Sequence, residues 1–313
     1  MADSNSAVTG PASAVPLFSV VIPTYNRAAI IGKAVESVLA QTCRDFEIVV
    51  VDNGGSDNTK QVLEQYRNPS IRYHWQRGTG GPAGPRNTGI RLARGTYVAF
   101  LDSDDWWYPE KLAKVKQALD AHPGAALIHH PVDVIMRSTM KPVYTTKAKG
   151  PAVFSAYEDL LIEDNYIATS SAVVLRSAVL DLGGFREDDL LVAVEDFDLW
   201  LRLARQGYAF VPIPERLGAL SQWEGNLSSL ESPKRMARLE YLVSQHLPHL
   251  PPYSPARKGA EGNLSFQRAR FFHSQGKFMA AIAQYLKCLP GVVPVCKAKA
   301  LAGILLCLAR IRR

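Results

Sequence analysis

Three groups of acidic residues in this 313-residue chain have the types and spacing that could do chemistry. Asp102-Ser103-Asp104-Asp105 directly follows the apolar run Tyr97–Leu101. Carboxylate oxygens there could hold a hard divalent cation, which in turn bridges phosphates. Aspartates also cap helices, but one cap uses one side chain, and here three acids occupy four positions. Asp52-Asn53-Gly54-Gly55-Ser56-Asp57 ends a second apolar run. It reads either as a turn with a cap or as a strand tip at which Asp52 accepts a hydrogen bond from a ligand donor such as a base N–H. Glu195-Asp196 opens an expected helix. Acids in a first turn stabilise the helix dipole; a carboxylate there could also act as base toward an attacking hydroxyl. The glycine-rich stretch Gly78–Gly81 fits neither G-x-G-x-x-G after a first strand nor a loop ending G-K-[ST], which argues against a dinucleotide fold and a P-loop.

The elements that must position these groups alternate along the chain. Phe18–Pro23, Phe46–Val51, Ile71–Trp75 and Tyr97–Leu101 read as strands, and helical patterns fall between them near Ile30–Leu39, Asn58–Arg67 and Arg86–Ala93. Four β-α steps with largely apolar, non-alternating strands imply a mostly parallel sheet covered by helices, so the expected class is α/β. Ligands bind such sheets beyond the carboxyl ends of the strands. Thr24–Asn26, Asp52–Ser56 and Asp102–Asp105 are therefore expected to converge on one crevice. Further on, Leu112–Ala121 and Val194–Gln206 read as helices, and Ala126–Ile135 and Ala168–Leu175 as strands. Trp106–Leu112 reads as the segment that Asp102–Asp105 would cap. His129-His130 lies in an apolar run and reads as structural.

The segments VVIPTYNR (Val20–Arg27), EIVVVDNGGSDNT (Glu47–Thr59), GPRNTGIRLARGTYVAFLDSDDWWYPEKL (Gly84–Leu112), GGF (Gly183–Phe185) and EDFDLWLRL (Glu195–Leu203) stand in a fixed order over residues 17–230. Together they resemble a family 2 glycosyltransferase of the GT-A fold, of the bacterial cell-surface glycan type. The resemblance implies a Rossmann-like catalytic domain over 17–230 and a nucleotide-diphosphate sugar donor, expected to be UDP-linked. Pro23, Thr24, Tyr25 and Asp52 would line the nucleotide pocket, with Asp52 reading the base. Arg86 would belong to the same site and Asp102 would approach the ribose. Asp104 would coordinate Mn²⁺ or Mg²⁺ on the diphosphate, and Asp196 would be the general base of an inverting direct displacement. The implied acceptor is a growing surface glycan or its lipid-linked precursor. Two departures stand out. The usual Asp-Asp-Gly-Ser run reads Asp52-Asn53-Gly54-Gly55, and Trp223 stands where many members carry a metal-side His. With Asp104, water and phosphate oxygens as the only ligands, the ion would bind weakly without donor.

Composition sets the outer bounds. Hydrophobic residues are 47% and charged residues 21%, which is globular and excludes a disordered, collagenous or coiled-coil chain. The net charge of +7 is uneven: Ser232–Arg313 holds 14 Lys and Arg against 2 Asp and Glu, and the rest of the chain is acidic. The basic tail's aromatics fall at helical core spacing, which argues against nucleic acid. Pro248–Pro255 reads as a linker within the basic helical region 231–313. Arg268–Pro290 resembles one tetratricopeptide helix pair, expected to pack on the catalytic domain. Lys297–Arg313 sets an apolar stretch between basic ends: a docked terminal helix, or an interfacial helix on an anionic membrane surface. Four scattered cysteines, residues 1–16 read as a disordered arm without a secretory pattern, and no run long enough to span a bilayer fit a cytoplasmic protein, which the interfacial reading of Lys297–Arg313 would make peripheral on the inner face of the cytoplasmic membrane and the docked reading would not. A sugar-nucleotide nucleotidyltransferase and a non-catalytic docking protein are the competing functions. The first would need a triphosphate loop after the first strand; the second would not need Asp104 and Asp196.

Overall fold

The computed structural model describes residues 15–150, 155–222, 232–292 and 294–311. Trp223 and most of the expected arm lie outside the described residues. The apolar runs form β1 (Phe18–Thr24), β2 (Phe46–Asn53), β3 (Ile71–Gln76) and β4 (Tyr97–Phe100), separated by α1 (Ile31–Leu39), α2 (Thr59–Glu64) and α3 (Ala83–Leu92). With β6 (Ala125–His129), β9 (Val173–Leu175) and β10 (Ala209–Pro212) they make a seven-stranded sheet in the order β10-β6-β9-β4-β1-β2-β3. Every pair is parallel except those of β9, which runs antiparallel to β4 and β6. The order turns at β1, flanked by β2 on one side and β4 on the other, and a crevice opens at the carboxyl ends of such strands.

Strand periodicity divides the core in two. Val21 of β1 points into a cluster with Ile90, Phe100, Phe185, Phe197 and Trp200. Its neighbours Val20 and Ile22 point into the opposite cluster with Ile31, Val35, Val38 and Leu112. Both faces are covered, which is why β1 carries no polar alternation. α3 lies close on β1: a Cβ on Gly89 would stand 2.3 Å from Val21 Cγ1, so only glycine fits there.

Three local expectations change. Trp106-Trp107 is not helical: it forms β5 (Trp106–Trp107), antiparallel to β11 (Gly218–Gln222), and α4 (Lys111–Ala121) begins only after Pro109. Residues before proline avoid the α region, so Asp102–Asp105 cap no helix; α4 follows Glu110, without a side-chain cap. The expected strand 126–135 breaks at Pro131 into β6 and β7 (Asp133–Met136), which joins β8 (Lys141–Thr145) and β11 in the second sheet. Residues 169–171 form a 3₁₀ turn ahead of β9.

The remaining helices are α5 (Ala156–Glu163), α6 (Arg176–Asp181), α7 (Glu195–Arg205), α8 (Pro233–His246), α9 (Pro255–Ser274), α10 (Phe278–Cys288) and α11 (Pro294–Ile311). Ser232 and Ser254 cap α8 and α9, each followed by a proline at the first helical position. The change of core does not fall at the proline-rich stretch 248–255. Leu250, Ala256 and Ala260 are buried in the cluster that holds Trp200, whereas Phe266 and Ala269 join Ala281, Tyr285, Ala300 and Cys307. The division lies inside α9, whose first half packs on the body built around the seven-stranded sheet while its second half founds a small helical cluster with α10 and α11.

Candidate active site

The loops after β1, β2, β3 and β4 meet the 169–171 turn and the start of α7 around a cavity of about 840 Å³. Pro23, Thr24, Tyr25, Arg86, Asp102, Asp104 and Asp196 all line it. A smaller hollow beside α2 and β3, lined by Lys60, Leu63 and Arg67, brings no carboxylates together beyond Glu64.

Asp52 does not line the cavity. It is buried beneath the loop, where Oδ1 accepts from Gly55 N–H at 2.8 Å and Oδ2 accepts from the Tyr73 hydroxyl at 2.9 Å. The turn reading describes this carboxylate, and its successor Asn53 faces the cavity instead. A Cβ on Gly55 would come within 2.6 Å of Asp52 Oδ1, which explains the second glycine of the Gly54-Gly55 pair.

Arg86 is clamped between carboxylates. Its guanidinium donates from Nη1 to Glu195 Oε1 at 2.5 Å and from Nη2 to Asp102 Oδ1 at 2.7 Å. Arg86 and Glu195 are both buried, so the arginine ties the loop after β4 to the start of α7. The two carboxylates hold the guanidinium more firmly charged than usual, against the pull of burial. The arginine therefore sets the Asp102 and Glu195 side chains in place at the cavity wall.

The 169–171 turn joins the two halves. Thr169 donates its hydroxyl to Asp196 Oδ2 at 2.6 Å. Ser170 Oγ donates to Asp105 Oδ2 at 2.5 Å and accepts from Asp102 N–H at 3.0 Å. Asp105 Oδ1 accepts from Ser221 N–H at 2.9 Å, drawing β11 into the same assembly. The Ser170 carbonyl accepts from Lys111 Nζ and Trp107 Nε1, each at 2.8 Å. Burial, and then the neighbouring Asp102 and Asp104, push the Asp105 carboxyl well above the usual range. Burial likewise lowers the Lys111 ammonium.

Asp196 is part-buried at the first turn of α7, where Oδ1 accepts from Phe197 N–H at 2.7 Å. Burial first, and the adjacent Glu195 second, push its carboxyl up to about 6; Thr169 and Arg86 oppose them. It is ionised at neutral pH yet far more basic than an ordinary aspartate. Thr169, Ser170 and Lys111 were missed in the sequence, although the hydroxyl run Thr169-Ser170-Ser171 ahead of an apolar strand is a visible signal. His129 and His130 are buried, and desolvation lowers both imidazoles, His129 to about 4.

The donor set suits a cation that takes most of its ligands from elsewhere. Among the described residues no group of three or more His, Cys, Asp and Glu could hold a metal by itself. Asp102 and Asp104 are part-exposed on the cavity wall, and Asp105 is occupied by Ser170 and Ser221. One or two carboxylates at a cavity fit an ion that keeps water and phosphate oxygens as its remaining ligands.

The carboxylates after β4 and the carboxylate at the start of α7 thus meet where the strand order turns, the place at which α/β sheets bind their ligands. The chain belongs to glycosyl transferase family 2, whose family model matches residues 19–181, just over half of its length. It is 30% identical over 214 residues to the amylovoran biosynthesis glycosyltransferase AmsB of Erwinia amylovora, covering 64% of this chain and 68% of that one. An uncharacterised glycosyltransferase of Haemophilus influenzae is 29% identical over 190 residues, with 61% of this chain and 63% of the relative covered. Among solved structures, Staphylococcus aureus TarS 1–349 with UDP-GlcNAc is similar at a TM-score of 0.65 and 18% identity, covering 93% of this chain and 88% of that one. The mannosyltransferase PcManGT of Pyrobaculum calidifontis, solved with GDP-Man and Mn²⁺, is similar at a TM-score of 0.60 and 21% identity over 95% of this chain and 81% of the other.

Proposed function

We propose that this glycosyltransferase inverts the anomeric centre, moving a sugar from a nucleoside-diphosphate donor, UDP-linked, to a hydroxyl of a growing surface glycan or lipid-linked acceptor. The carrying observation is Asp196: a carboxylate raised to about 6 and oriented by Thr169, in the same cavity as Asp102 and Asp104. An acceptor hydroxyl is too weak an acid to attack unaided, and a carboxylate of raised pKa takes its proton as the new bond forms. Pro23, Thr24, Tyr25 and Asn53 would hold the nucleotide, with Asp102 toward the ribose. A divalent cation, Mn²⁺ or Mg²⁺, held by Asp104 would neutralise charge on the departing diphosphate. One cavity that seats donor and acceptor together supplies the orientation that the displacement needs. The donors in the TarS and PcManGT structures and the amylovoran role of AmsB support the donor class and the glycan acceptor. The working location is the cytoplasm, at the inner face of the cytoplasmic membrane.

The test is transfer from a panel of sugar nucleotides with Mn²⁺ or Mg²⁺. Asp196→Asn is expected to abolish transfer with donor binding nearly intact. In the parent, the rate should fall as pH drops through about 6, where Asp196 takes up its proton. Full transfer by Asp196→Asn would overturn the base assignment, and a product that retains the donor configuration would overturn direct displacement.

A further inference from the structure

α11 has two apolar faces, and only one is used. Ala300, Gly303 and Cys307 are packed against the helical cluster, so closely that a Cβ on Gly303 would stand 2.5 Å from the Tyr285 ring. Leu301, Leu305 and Leu308 recur at the helical interval on the other side and are exposed, Leu305 at 68%. Leu306 is exposed beside them, and Ala298, Ala302 and Ala309 complete the same outer face. Exposed leucines in this number are not the scatter of an ordinary surface.

Charge decides what covers this face. From residue 262 to the end the chain holds nine Lys and Arg and no Asp or Glu. Exposed Lys297, Lys299 and Arg310 lie on α11 itself. A symmetric contact with a second copy sets the same patch against itself, which here brings like charges together with no carboxylate to pair them. A surface that is apolar in depth and anionic at its boundary matches both features. Among the described residues no helix is long and apolar enough to cross a bilayer, so α11 would lie in the interface.

We propose that the outer face of α11 seats the protein on an anionic phospholipid surface, with Leu301, Leu305 and Leu308 in the acyl boundary and Lys297, Lys299 and Arg310 at the headgroups. The inference extends the membrane location proposed above, and its test reads lipid binding alone, so transfer activity stands or falls separately. The inner face of α11 keeps the helix docked on α10, so the seat is built into the fold rather than hung from a loose tail.

The experiment is co-sedimentation of the full 313-residue chain with vesicles of phosphatidylcholine alone or mixed equally with phosphatidylglycerol. The parent should pellet with the mixed vesicles, less so as salt rises, and not with phosphatidylcholine alone. Leu301→Asp/Leu305→Asp should lower the partition coefficient about tenfold or more while melting as the parent does, since both sites are exposed. Lys297→Gln/Lys299→Gln/Arg310→Gln should lower it too and flatten the salt dependence. Equal pelleting of parent and leucine variant would overturn the proposal. So would equal binding to neutral vesicles, or a dimer that the leucine variant abolishes in a parent that binds no vesicle.

Discussion

Replacing Arg86 by methionine tests the clamp on which the site depends. Methionine retains most of the stem and removes the charge. Glu195 then stays buried with no partner for Oε1, and its Oε2 already has none in the parent. Asp102 Oδ1 loses its 2.7 Å bond as well. Breaking a buried ion pair from one side costs about 3–5 kcal/mol, because the remaining charge is uncompensated. At roughly 2–4 °C per kcal/mol for a protein of this size, the melting temperature should fall by roughly 6–20 °C. The double variant Arg86→Met/Glu195→Gln removes the stranded charge and should regain a large part of that loss. Activity adds an independent reading. Arg86 pulls the Asp196 carboxyl down and Glu195 pushes it up. Arg86→Met should therefore move the acid limb of the pH–rate profile above about 6, and Glu195→Gln alone should move it below. Urea unfolding and initial rates across pH check both. An Arg86→Met protein within about 1 kcal/mol of the parent would refute the clamp, since a buried pair cannot be broken so cheaply. An acid limb that moves to lower pH would refute the electrostatic link to Asp196.

Two further substitutions separate the site from the scaffold. Ser170→Ala removes both the bond to Asp105 and the acceptor for Asp102 N–H. It should lower transfer about 10–100-fold by loosening the Asp102–Asp105 loop; unchanged initial rates would show that the 169–171 turn does not position that loop. Gly89→Ala forces a methyl against Val21 Cγ1, which stands 2.3 Å from the ideal Cβ position. The α3–β1 contact should open at a cost of about 1–3 kcal/mol, measurable by urea unfolding.

Much of the site was legible because it is local. β1, β2 and β4 are largely apolar, and each releases a polar cluster at its tip, so the crevice follows from the strand pattern alone. Pro23, Thr24, Tyr25, Arg86, Asp102, Asp104 and Asp196 reach one cavity as expected. Asp52 does not, because the Gly54-Gly55 turn folds its own backbone back onto the carboxylate. That contact depends on Tyr73 from β3 as much as on the turn, and no local pattern reveals it. Trp106–Leu112 misled for a similar reason: its strand pairing comes from β11, more than a hundred residues later.

The amino-acid sequence by itself determined the elements, their order and the chemical groups at their ends, since periodicity, proline and glycine act over a few residues. The tertiary structure alone decided how those groups are held. Arg86 meets Glu195 across 109 residues, and Ser170 meets Asp105 across 65. The burial of Asp196 itself, and then the charge of Glu195 beside it, raise its carboxyl to about 6, and burial is a property of the assembled core. The same holds for α11. The sequence showed an apolar helix with basic ends, but only packing against Tyr285 decided which side is covered and which remains to meet another surface.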